Sequence, residues 1–272
     1  MITYSKIGHF GRLGNQLFQF ASTIGISKKL GYQVGFPKNN THTGAVEHFK
    51  DGITRTVKFD IPSIFDIPES LLYIDFRPEH LVSERFFHFD NTLFQIRDNA
   101  DIAGYMQSEK YFKHCEEDIR SYLIFKDQIQ QVAISLFPKV RYPVVAIHVR
   151  RGDYIYQQQY HPVCSLEYYQ AALSNFTDQN YTFVIFSDDI RYCREIFGSS
   201  ENLVYLNNSD PYVDLCLMSM CDHNIIANSS FSWWGAWLNK NKQKKVVAPK
   251  QWFGSAYSHN TADLYCRDWI II

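Results

Sequence analysis

The sequence predicts an α/β protein: a doubly wound domain on a parallel sheet, preceded by a second α/β half. Two observations predict it. From Val144 onward, short apolar runs alternate with stretches of helical period, the order that a parallel sheet with crossover helices requires. Residues 2–37 show the same unit once, as an apolar start, a Gly-rich turn, a helical stretch and a second apolar run.

The elements follow in chain order. Residues 2–7 read as a strand and lead into "GHFGRLGNQ". The stretch after it carries Leu17, Phe20, Ala21, Ile24 and Leu30 at helical spacing, and Gly31 stops it. "QVGFP" is a second short strand. Residues 40–110 mix prolines, aromatics and histidines without a sustained period, so irregular loops and short helices are expected there. "EEDIRSYLIF" and "DQIQQVAISLF" read as helices before Pro138. Strands are then expected at 144–149, 182–187, 203–206, 224–227 and 245–249. The helices "SLEYYQAALSNF", "DDIRYCREIFG", "PYVDLCLMSMCDH" and "NSSFSWWGAWLNK" lie between them. The division between halves is expected near "PKVRYP", giving 1–140 and 141–272.

Composition narrows the function. A chain of 272 residues with 46% hydrophobic content builds a substantial core, and most of its 21 Phe and 18 Tyr are core filling. A net charge of −1 provides no global field toward nucleic acid or an anionic bilayer, so any basic site is local. The six cysteines form no CxxC and no zinc spacing, which suits reduced thiols in a reducing compartment. No signal peptide and no apolar run of spanning length is read in the sequence. A cytoplasmic protein is expected, able to dock on a membrane surface.

Ligands of an open parallel sheet bind outside the carboxyl ends of its strands. Four polar segments sit at such ends. The first is "GRLGNQ", with Gly11, Arg12, Gly14, Asn15 and Gln16. Backbone N–H groups at a helix start suit phosphate, although a tight packing turn explains it equally well. The second is "HVRRGDY", with His148, Arg150, Arg151 and Asp153. An arginine fork matches a diphosphate bidentately. Neighbouring strand residues point to opposite faces, so Arg150 is favoured for the ligand over Arg151. Asp153 is either a general base or a structural partner of Arg151 or His148.

The third segment is "SDD", with Ser187, Asp188 and Asp189. It reads as a metal site, as a guanine reader through Asp189, or as a helix N-cap, a role expected of Asp188. The fourth is "NSSFSWW", with Ser229, Ser230, Phe231 and Ser232. Its serines can cap a helix and donate to phosphate. Trp233, Trp234 and Trp237 are expected to pack that helix.

In this order and at these intervals, "GRLGNQLFQFA", "HVRRGDY", "SDD" and "NSSFSWWGAWL" closely resemble the bacterial α-1,2-fucosyltransferase family. The resemblance covers nearly the whole chain. It implies a GT-B-like arrangement of two Rossmann-like halves, here with the N-terminal half abbreviated and holding the Gly-rich donor loop and the acceptor side. It implies an inverting transfer of L-fucose from GDP-β-L-fucose to a galactoside, without a metal or other cofactor, in surface glycan synthesis. It implies Arg150 on the diphosphate, Asp189 on guanine, and the turn at 11–16 lining the donor site. Arg150, Asp153 and Asn15 are the candidates for catalysis. The partners it implies are GDP-fucose and a galactoside, with no nucleic acid. A peripheral contact with the inner membrane face would bring in a lipid-linked acceptor. Another GDP-sugar, or a non-catalytic GDP-sugar-binding module, stands as the alternative.

Overall fold

A computed structural model describes residues 1–38, 58–207 and 210–272, and the backbone alone of 46–48 and 54–56. Part of the 40–110 stretch, expected as loops and short helices, thus lies outside the described residues. The chain forms two compact units. The first is Met1–Lys126 with His259–Cys266, and the second is Asp127–Ser258 with Arg267–Ile272.

The first unit contains β1 (Ile2–Thr3), α1 (Leu13–Leu30), β2 (Val34–Pro37), β3 (Val46–His48), β4 (Thr54–Thr56), α2 (Ile61–Ile64), β5 (Leu72–Tyr73), β6 (His80–Ser83), β7 (Ala100–Ala103) and α3 (Glu116–Tyr122). Its main sheet runs β5-β2-β1-β7-β6 with every described pairing parallel, and β3 and β4 form an antiparallel pair. Five strands, β3 to β7, therefore lie where irregular structure was expected. Each has only two to four residues, too short to show a period, and β6 alternates half-buried with exposed positions. The first strand pairs only at Ile2–Thr3, shorter than the 2–7 expected. Helix α1 begins at Leu13, inside the Gly-rich segment, and is buried along most of its length.

Residues 259–266 belong to this unit through Asp263. Its carbonyl accepts from the Ser108 hydroxyl at 2.6 Å, and its carboxylate accepts from the Phe89 N–H at 3.2 Å and pairs with Lys110.

The second unit contains α4 (Asp127–Leu136), β8 (Val144–Val149), α5 (Leu166–Leu173), β9 (Thr182–Ser187), α6 (Ile190–Phe197), β10 (Leu203–Tyr205), α7 (Pro211–Met220), β11 (His223–Ile225), α8 (Ser230–Leu238), β12 (Val246–Ala248) and β13 (Ile270–Ile271). The expected boundary at 140 and the observed one at 126/127 differ because α4 packs against α7 and so goes with the second unit. A sixth strand, β13, extends the sheet beyond β12, where the series was expected to end.

The second sheet is parallel, in the order β10-β9-β8-β11-β12-β13. Counted from β8 this is 3-2-1-4-5-6, the dinucleotide-binding order, and it reverses between β8 and β11. One face is packed by Val145, Ile147, Val149, Ile185, Ile225 and Val247 against Tyr169, Phe176 and Cys193. The helix that follows β11 buries Trp233, Trp234 and Trp237, as expected.

Candidate functional site

In an open parallel sheet the ligand crevice lies where the strand order reverses, here at the carboxyl ends of β8 and β11. Both arginines stand at the tip of β8. Arg150 donates to Asp188 at 2.5 Å through Nη1 and pairs with Asp153 through Nη2. Its guanidinium lies 5.2 Å from the Tyr154 ring centre. Arg151 donates through Nε to Asp189 at 2.9 Å and lies 3.7 Å over the Tyr192 ring. Its backbone N–H donates to Asp188 at 2.9 Å. The Asp188 carboxylate comes so close to Gly152 that a Cβ there would lie 2.6 Å from one oxygen, which explains the glycine of "RRGD".

Two expectations change. Asp153 pairs with Arg150, not with Arg151 or His148. The N-cap of α6 is Asp189, not Asp188: its Oδ1 accepts from the Tyr192 N–H at 3.0 Å, with extended backbone at the cap. Ser187 supports this turn by accepting from the Asp189 N–H at 2.9 Å. Asp188 and Asp189 are both engaged with arginine and backbone N–H groups. Among the described residues, no three His, Cys, Asp or Glu side chains gather as metal ligands.

The start of α8, across the crevice, is built differently. Ser229 occupies the N-cap with extended backbone but makes no side-chain cap, and no acidic residue lies in the first turn. Ser232 is fully buried and its hydroxyl donates back to Ala227 and Ser229 carbonyls at 3.4 and 3.3 Å, so it serves the helix itself. Phe231 packs 5.7 Å from the His148 ring. His148 is buried at the end of β8, and its Nδ1 has no hydrogen-bond partner among the described residues. Burial pushes its pKa down to about 4, with Arg150 adding to this and Asp188 opposing it. The imidazole is neutral at neutral pH, so His148 offers a hydrogen bond and not a charge.

In the first unit, the turn after β1 is fixed from within. Gly11 has φ +97, and a Cβ there would fall 1.9 Å from the Asn15 amide nitrogen. The Asn15 carbonyl oxygen accepts from Gln107 at 2.8 Å. Arg12 is the N-cap of α1 with no side-chain cap, and no acid lies in the first turn, which includes Gly14. Gln16 is buried and turns away from that start: it donates to the Lys58 carbonyl at 2.9 Å and accepts from the Asp60 N–H at 2.8 Å.

Glu84, just beyond β6, was not legible as a site residue. It accepts from the Tyr105 N–H at 2.9 Å and the Met106 N–H at 3.1 Å, beyond the end of β7. Burial pushes its carboxyl up to about 7 against those two N–H groups. A lone glutamate after a short strand carries no sequence signal of such a role.

Similarity to known proteins coincides with this geometry. The model of glycosyl transferase family 11 matches residues 3–272. The O-antigen biosynthesis glycosyltransferase WbnK of Escherichia coli is 27% identical, covering 96% of this chain and 97% of that protein. An α-1,2-colitosyltransferase of Escherichia coli is 30% identical over 89% of this chain and 90% of its own length. Among solved structures, the NodZ α-1,6-fucosyltransferase soaked with GDP-fucose superposes with a TM-score of 0.56. It shares 13% identity and covers 87% of this chain and 92% of that one, a likeness of fold.

Proposed function

The chain belongs to glycosyl transferase family 11, and from that premise we propose that it transfers L-fucose from GDP-β-L-fucose to the 2-hydroxyl of a terminal galactoside, with inversion, in surface glycan synthesis. It is a glycosyltransferase of GT-B-like α/β fold. One observation carries the site assignment. At the reversal of a 3-2-1-4-5-6 sheet, the uncapped, acid-free start of α8 lies opposite paired arginines. That is a receptor for a diphosphate.

In this reading Arg150 offers phosphate oxygens the guanidinium N–H groups that Asp153 and Asp188 leave over, and gains strength as the departing GDP accumulates charge. Asp153 holds the guanidinium in place, a positioning role that the observed ion pair favours over that of base. Arg151 is anchored by Asp189 and Tyr192. Asp188 ties both arginines to the strand end, and Asp189 adds to its cap the reading of guanine. Ser229, Ser230 and the α8 amides donate to the diphosphate, while His148 and Phe231 line it. Gly11, Arg12, Gly14 and Asn15 form the donor turn of the first unit; we leave Gln16 out, since its amide holds residues 58–60. Arginine, amide and hydroxyl donors neutralise the diphosphate without a metal.

No helix among the described residues is long and apolar enough to cross a membrane. We place the protein at the cytoplasmic face as a peripheral enzyme acting on a lipid-linked glycan. The relative named as a colitosyltransferase favours a second reading, in which the transferred sugar is not fucose.

The decisive experiment offers GDP-fucose and other GDP-sugars with a panel of galactosides, with product linkage read by NMR. Fucose in α-1,2 linkage is expected. Turnover of another GDP-sugar alone would establish the second reading, and GDP binding without transfer to any acceptor would overturn the proposal.

A further inference from the structure

The opposite edge of the second sheet carries a surface that the transfer reaction does not use. The segments that enter β8, β11 and β12 all lie at the amino ends of parallel strands, side by side in the order β8-β11-β12. They are joined at this edge: the Val144 N–H donates to the Asp222 carboxylate at 2.7 Å, Asn241 donates to the Asp222 carbonyl at 3.0 Å, and Asn239 donates to the Cys221 carbonyl at 2.8 Å.

Four exposed cations stand here, Lys139, Arg141, Lys240 and Lys242. None of them pairs with a carboxylate among the described residues. The nearby acids are occupied or peripheral. Asp178 pairs with Lys245 at 3.2 Å and Asp222 holds Val144, while Glu201 and Asp268 precede the outer strands β10 and β13.

Exposed apolar side chains accompany the cations. Leu136, Val140 and Tyr142 lead from α4 into β8, and Met220 ends α7, on which α4 packs; each is about two-fifths exposed. On α4 itself Val132 and Ile134 are exposed, with Ile134 at 62%. The Arg141 guanidinium lies 5.9 Å from the Tyr142 ring centre.

We infer that this amino-terminal edge of the second sheet is a docking surface for an anionic lipid bilayer. Lysines and an arginine interleaved with aliphatic groups and a tyrosine match the interface of an anionic leaflet in both charge and polarity. A nucleic-acid backbone would call for the cations without the exposed aliphatic groups. The chain as a whole carries −1, so the local charge, and not the net charge, would orient it. Docked this way, the carboxyl edge stands roughly 20 Å above the leaflet, the length of a six-residue strand such as β8. That places the arginine site within reach of a glycan extending from the lipid. The inference rests on the proposed membrane contact and names the surface that makes it.

The test is co-sedimentation of the full chain with vesicles of phosphatidylcholine alone or of equimolar phosphatidylcholine and phosphatidylglycerol. The chain should bind the mixed vesicles and lose them in high salt, where screening shortens to about 3 Å. Lys240→Gln with Lys242→Gln should weaken binding about thirty-fold, at about a fivefold factor for each lysine. Val140→Ser with Tyr142→Ser should weaken it at unchanged charge. Both variants should keep wild-type GDP affinity and transfer to a soluble acceptor. Wild-type vesicle binding by both variants would overturn the inference while leaving membrane association standing. No binding of the wild type to either vesicle would overturn both and leave the transferase reading intact. A wild-type dimer that the variants dissolve, without vesicle binding, would make this face an interface between copies and overturn the inference.

Discussion

Helices α6 and α8 both begin at the carboxyl edge of one parallel sheet, on either side of β8, yet they begin in opposite ways. At α6 the protein supplies its own anion: Asp189 caps the first turn and its second oxygen takes Arg151. At α8 the first turn contains no acidic residue and the cap position holds a serine whose hydroxyl makes no cap. The other helices of this unit with an assigned N-cap resemble α6, since Ser165 caps α5 and Asp210 caps α7. A helix start carries about half a positive charge, and evolution can neutralise it internally or leave it for a ligand. The difference is what the proposed diphosphate site rests on. Of the two helix starts flanking the arginines, only α8 lacks a side-chain cap.

The most direct way to break this contrast is to give α8 the start that α6 has. Ser229→Asp supplies a cap and a negative charge together. The fold should hold or gain stability, as an added cap does. GDP affinity should fall by about a hundred-fold or more, since like charges brought together cost several kcal/mol. Isothermal titration with GDP, alongside a melting curve, checks both. Near-normal GDP affinity in a stable variant would move the diphosphate away from α8.

The arginines sharpen the comparison next. Arg150→Lys keeps a charge but loses the fork, so kcat/KM should drop about ten- to a hundred-fold, below the cost of deleting an oxyanion donor outright. Arg151→Lys should act chiefly on stability, because its guanidinium is stacked on Tyr192 and paired with Asp189. Steady-state kinetics and melting curves on the two variants separate the roles. If Arg151→Lys costs more catalysis than Arg150→Lys, the assignment of the two residues is reversed.

A smaller effect is expected at α6. Asp189→Ala removes the cap, at a cost of about 1 kcal/mol in stability. It should also narrow the preference for GDP over ADP about tenfold, since an unpaired acceptor no longer selects for guanine's donor pair. Binding titrations with both nucleotides read the ratio. A lower melting temperature with an unchanged ratio would limit Asp189 to the cap.

How much of this was legible in the sequence follows from element length and from what sets a cap. The six-residue apolar strands β8 and β9 are buried throughout, bar the half-buried Ser187, and announced themselves as a parallel core. The two-residue strands β5 and β13 have no period to read, so β13 was missed in the second sheet and β5, like β6 and β7, in the first, where only β1 and β2 were read. The motif "HVRRGDY" marked where the two arginines cluster, at the end of β8, but partner choice depended on the fold. Asp153 lies three residues from Arg150, and only the short helical turn at Asp153–Tyr156 brings their side chains together. Which of two adjacent aspartates caps a helix depends on where the chain turns into it, and composition does not reveal that. Glu84 depends on the turn at Tyr105–Met106, 21 and 22 residues away and in a stretch with no pattern.

The subtlest difference between regions is in acid response, and it sets the two units against each other. In the second unit, the unfolded chain protonates His148 near 6.5, whereas the folded site refuses the proton until about 4. The depressed value means that its contribution to stability is complete above pH 6.5 and is lost as pH falls toward 4. His161 and His223, also lowered by burial, act in the same direction, as does His114 in the first unit. Glu84 acts in the opposite direction. Its folded carboxyl keeps a proton up to about 7, while the unfolded chain releases it near 4.5. Its contribution is complete below pH 4.5 and is lost as pH rises toward 7. Between about 4.5 and 6.5 the two slopes oppose. His148→Gln should therefore flatten the acid-side loss of stability, and Glu84→Gln should steepen the net rise in stability across that window. Denaturant unfolding at half-unit pH steps reads both slopes. If Glu84→Gln leaves the profile unchanged, the carboxylate is already ionised in the fold, held by the Tyr105 and Met106 N–H groups, and its burial is not what governs it.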